Sequence, residues 1–141
     1  MNRAHGKARV AGAAKIVILG MLACAASATT AAAADRFGVV GIENATQVTI
    51  RMQHRWGDGT WKADVIPPGT RKHYWWTYAV QNQDKSPPFH VKFDSDLSKG
   101  TFFEKYDLKK NACPDHTWEC SHKHVFRYDG GKTFIELYQK K

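Results

Sequence analysis

The sequence predicts an all-β fold: a single antiparallel β-sandwich, immunoglobulin-like or jelly-roll-like, of about seven or eight short strands behind a cleavable secretory signal. Three observations predict it. Apolar residues recur with period two in several short segments, separated by Gly- and Pro-containing turns about every ten residues. No helical periodicity of useful length occurs after position 34. All 17 Phe, Trp and Tyr residues also fall after that position, and most occupy one register of the alternation, as two sheets closing over one core require.

The N-terminal segment sets the compartment. Arg3, Lys7, Arg9 and Lys15 form a basic leader without acids, and Ile16–Ala26 is a short apolar run. Ala32-Ala33-Ala34 before Asp35 has the small-residue pattern of a signal cleavage site. The run falls well short of the ~20 apolar residues of a membrane span. Residues 1–34 are therefore expected to be a signal peptide and residues 35–141 a single sandwich domain with no membrane span. A lipid anchor on Cys24 is the alternative, disfavoured by the bulky Leu22 two residues before it. Export would remove four of the 21 Lys and Arg residues and none of the 13 acids, leaving 17 against 13, a net charge of +4. The basic residues are scattered among acids, which argues against nucleic acid as a partner.

The strands follow in order. Phe37–Ile42 is the first, closed by Glu43-Asn44-Ala45. Asn44-Ala45-Thr46 matches a glycosylation acceptor, but behind an alanine-rich signal of bacterial character it is read as a turn. In Val48–Trp56, Val48, Ile50, Met52 and Trp56 share one face, while Thr49, Arg51, Gln53 and Arg55 take the other. Gly57-Asp58-Gly59 turns the chain into a return strand whose inner face is expected to carry Trp61, Ala63 and Val65. Pro67-Pro68-Gly69 ends it, since proline cannot donate to a ladder. Arg71–Val80 presents Tyr74, Trp76, Tyr78 and Val80 inward and Arg71, His73, Trp75 and Thr77 outward. Phe89, Val91 and Phe93 line the next strand, Phe102, Tyr106 and Leu108 a rougher one, and a last hairpin turns at Gly130-Gly131. Asp94–Gly100 resembles a calcium loop only in its first positions; its glycine is one place late and Lys105 stands where a bidentate glutamate belongs. It is read as an Asx-type turn.

Chemistry concentrates in Ala112–His124, ACPDHTWECSHKH. In an oxidising compartment Cys113 and Cys120 form an even pair. Closing that short ring contributes about 2.5 kcal/mol in the chain-entropy model. Six residues between the cysteines do not match a structural zinc knuckle. His122 and His124 are two apart and share a side of any strand; with His116 they form an alternative metal site.

No nucleophile elbow, zincin motif or phosphate-binding loop is present, so no catalytic residue is assigned and no cofactor is expected. The binding candidates are Trp75, beside His73 and Arg71 on the outward face, and Trp118, on the stapled loop. The expectation is a small, exported, non-catalytic binding module of the bacterial cell envelope, with a glycan or an envelope protein as ligand. A periplasmic metal-binding protein using His116, His122 and His124 is the alternative, and a small hydrolase of unrecognised type a third.

Overall fold

Phe37–Asn44 forms β1, and its sequence departs from simple alternation because both of its faces are covered: Val39, Val40 and Ile42 are all fully buried. The computed structural model describes residues 31–98, 100–102 and 104–141. The predicted signal segment up to residue 30, with Cys24, lies outside the described residues. Eight strands follow β1: β2 Ile50–Trp56, β3 Lys62–Ile66, β4 Arg71–Thr77, β5 Phe89–Phe93, β6 Glu104–Leu108, β7 Asn111–Cys113, β8 His122–Tyr128 and β9 Ile135–Gln139. Among the described residues no helix is long and apolar enough to cross a membrane.

The strands divide between two sheets. The first has the order β4-β1-β8-β9, with β7 also paired to β1; the second has the order β3-β2-β5-β6. Period two places Val40 and Ile42 of the first sheet against Ile50, Met52, Phe89, Val91 and Phe93 of the second, with Phe126, Ile135 and Leu137 completing one shared core. Asn44 ties the two sheets together at the end of β1. Its amide donates to the Val48 and Ile66 carbonyls at 2.7 and 2.8 Å, and its carbonyl accepts from the Thr46 backbone and hydroxyl. Asn44-Ala45-Thr46 is therefore a turn whose asparagine is wholly buried and fully hydrogen-bonded.

Four expectations are corrected. The described strands number nine rather than seven or eight. The extra one, β7, is three residues long and carries no periodicity. The sheets are not purely antiparallel either, because β8 runs parallel to β1, with Val40 opposite His122 and Asn44 opposite Phe126. A pairing between segments this far apart leaves no mark in local sequence. The third correction is a register slip. Ile50 pairs with Ile66 and Met52 with Asp64, so Ile66 points inward and Trp61, Ala63 and Val65 lie on the outer face, where Val65 is 46% exposed. Finally, β4 stops at Thr77: Tyr78 stays buried, but Val80 is exposed. The expected Asx-type turn is found at Asp96, whose carboxylate accepts from the Ser98 backbone at 2.9 Å.

Candidate functional site

β7 and β8 occupy the same side of β1 end to end. β7 runs antiparallel to it, opposite Phe37–Val39, and β8 runs parallel to it from Val40 onward. The chain must therefore leave the sheet and reverse between Cys113 and His122. The Cys113–Cys120 disulfide closes that reversal, with the Cα atoms 6.0 Å apart. Asn111 Nδ2 donates to the Cys120 carbonyl at 2.9 Å, and Ser121 Oγ to the Trp118 carbonyl at 2.6 Å, so both ends of the loop are fixed.

The loop folds onto the outer face of the first sheet. That face is open at Gly41, where a Cβ would lie 2.8 Å from the Trp118 ring. Only glycine leaves room for the indole. Arg71 and Lys123 approach the same ring at 5.0 and 5.9 Å. Trp118 is thus 9% exposed and anchors the loop, rather than being free on it to meet a ligand.

Anchoring Trp118 places His116 over β4. The His116 imidazole stacks on Trp75 at 4.2 Å and 13° and meets Phe37 edge-on at 5.1 Å. His73 lies 5.6 Å from Trp75 and 6.5 Å from His116. The register explains the gathering, because Trp75 pairs with Val39, His73 with Gly41 and Arg71 with Glu43, all on the outer face. The four binding candidates, Arg71, His73, Trp75 and Trp118, therefore share one surface. Trp75 remains 44% exposed there. The result is an aromatic and imidazole surface with a cation at one end, whose groups can stack and hydrogen-bond.

The three histidines considered as metal ligands do not meet. His116 belongs to the Trp75 cluster. His122 and His124 pair in register with Val40 and Ile42 and so lie on the inner face, 5.1 Å apart. Among the described residues no group of three or more His, Cys, Asp or Glu side chains is placed to hold a metal. His122 Nε2 and His124 Nδ1 are buried without partners. Burial, with His122 adding to it, pushes His124 down to about 4.

A second feature went unseen in the sequence. β4 and β3 are the edge strands of their sheets and lie side by side. They are joined where Asp64 of β3 accepts from Lys72 and, at 2.8 Å, from the Tyr74 hydroxyl. Burial and the Asp64 carboxylate hold the Tyr74 phenol well above its ordinary range. Next to this link a groove of about 430 Å³ opens, lined by His54, Trp56, Lys62, Tyr74 and Trp76. Alternation assigned Trp56 and Trp76 to the core. They do face inward, but each lies near the end of its strand and Trp76 is on the edge strand β4, where it is left 39% exposed beside Trp56 at 5.8 Å.

Fold and site together define a two-sheet, disulfide-stapled all-β protein with a partly exposed aromatic cluster on the outer face of one sheet. No family model, curated protein or solved structure matches the chain.

Proposed function

We propose that the protein is a small, exported, non-catalytic binding module of the bacterial cell envelope, with an immunoglobulin-like or jelly-roll-like fold, that engages a glycan or an envelope protein through the outer face of its first sheet. The observation that carries this reading is the His116–Trp75 stack. A loop fixed by a disulfide and by Trp118 delivers an imidazole onto an exposed indole, and such pre-organisation lowers the ordering cost of binding. Exposed aromatic surface that folding has left uncovered is a common mark of a ligand face. A secretory leader and an even cysteine pair support the location.

Metal binding through His116, His122 and His124 has less support, since two of these lie on the inner face and the third on the outer. Two imidazoles alone bind metal ions weakly.

Sedimentation with isolated cell-envelope material tests the proposal. The wild type co-sediments, and Trp75→Ala, equally stable, stays in the supernatant. Equal co-sedimentation of the two proteins contradicts the assignment of the face.

A further inference from the structure

The register slip that turned Trp61 outward exposes a second surface, on the opposite side of the molecule's core. Trp61 precedes β3 and lies on the outer face of the second sheet, where the guanidinium of Arg55 and the ammonium of Lys92 each approach its ring centre at 4.5 Å. Arg51, four residues before Arg55 on β2, is exposed on the same face. The strand rise puts it roughly 13 Å from Arg55. Among the described residues, none of these three cations is paired with a carboxylate. Asp107, in register with His90 and Arg55 across the sheet, is bound by His90. Arg55 Nε is also buried without an acceptor.

Two cations gathered on one indole with no counter-charge repel each other, and the ring's π face only partly offsets this. An anion bridging them would relieve the repulsion, and guanidinium is well suited to oxyanions. We infer that the outer face of β2, β3 and β5 binds an acidic polysaccharide, its carboxylate or phosphate groups spaced along the chain to meet Arg51, Arg55 and Lys92. The inference rests on the exported reading above, but uses the other sheet. A polysaccharide fits better than a nucleic acid, because Arg55 and Lys92 already occupy the Trp61 ring on which a base would stack. It fits better than a membrane, because Trp61 is only half-exposed between its cations and does not protrude as an apolar anchor.

The test is calorimetric titration of the purified protein with polygalacturonate, alongside a neutral polysaccharide, anionic phospholipid vesicles and single-stranded DNA. The wild type is expected to bind polygalacturonate in preference to the other three, and to weaken as salt rises to ~0.15 M. Arg55→Gln with Lys92→Gln should lose about tenfold or more in affinity and most of the salt dependence, Arg55→Lys should keep the salt dependence but bind more weakly than the wild type, and the loop control Lys85→Gln should bind as the wild type does. Arg51→Gln, at an exposed position away from Trp61, should lose about threefold and guards against a misfolded double variant. Trp75→Ala should bind polygalacturonate normally, so a failure here and a failure of the first face are separable. Tighter binding to vesicles or DNA, no preference for polygalacturonate over the neutral polymer, or wild-type affinity in both the double variant and Arg51→Gln would overturn the inference.

Discussion

At the scale of single residues, the account turns on Gly41, Trp118 and Asn44. A methyl group at Gly41 would meet the Trp118 ring, so Gly41→Ala should cost about 1–3 kcal/mol by overpacking. Trp118→Ala should cost about 3 kcal/mol. The Ser121 hydroxyl would meet the same methyl group, so removing the indole relieves only the ring's share of the clash; the two losses should add incompletely, and a double-mutant cycle by chemical denaturation measures that coupling. Asn44→Ala should cost about 2–4 kcal/mol by the same assay, since it removes the donor to the Ile66 carbonyl and the acceptor of the Thr46 backbone, both buried. Alternation correctly sent Trp75 outward and Trp76 inward, but it cannot show that β4 is an edge strand. Trp76, 39% exposed, should therefore cost about 1–2 kcal/mol on truncation to alanine, less than a fully buried aromatic. Trp75→Ala should stay within about 1 kcal/mol. Nothing near Gly41 in sequence announces that a tryptophan from a distant loop must fit over it.

At the scale of elements, the stapled reversal between β7 and β8 links covalent chemistry to the proposed ligand face. Replacing Cys113 and Cys120 together by serine should lower stability by about 2 kcal/mol, because the ring is short. The same variant should loosen His116 from Trp75, which faster backbone exchange across 114–121 would report while the strands stay protected. Unchanged exchange in the loop would show that Trp118 and the Asn111 and Ser121 hydrogen bonds hold it without the disulfide. The pairing of the cysteines was legible from their even count after position 34 and from the expectation of export. The loop's destination was not, because it depends on β8 running parallel to β1, a long-range choice. The same limit explains β3. Its strand was visible, but its register depended on how the Gly57-Asp58-Gly59 turn closed, and a slip of one residue exchanged Trp61 and Val65 for Asp64 and Ile66.

At the scale of the whole molecule, two inward histidines make stability depend on pH. Burial holds His124 down to about 4 and lowers His122, against an ordinary value of 6.5, and Lys109 opposes protonation of both. His54, in the groove, is lowered by its own burial. The unfolded chain therefore binds more protons than the folded one in this range. The contribution is fully present above pH 6.5 and is lost as pH falls toward 4, with a slope of about 1.4 kcal/mol per pH unit for each histidine that titrates only on unfolding. Denaturation midpoints should fall across that window, and His124→Asn should flatten the fall.

The central claim is that the outer face of the first sheet, capped by the stapled loop, is where the protein meets its ligand. Hydrogen exchange of the protein free and bound to isolated envelope material reads this surface directly. The account predicts slower exchange on binding at residues 71–77 and 114–121, with Trp75→Ala abolishing the effect. Identical exchange through both segments in the free and bound protein, whatever else becomes protected, would contradict it.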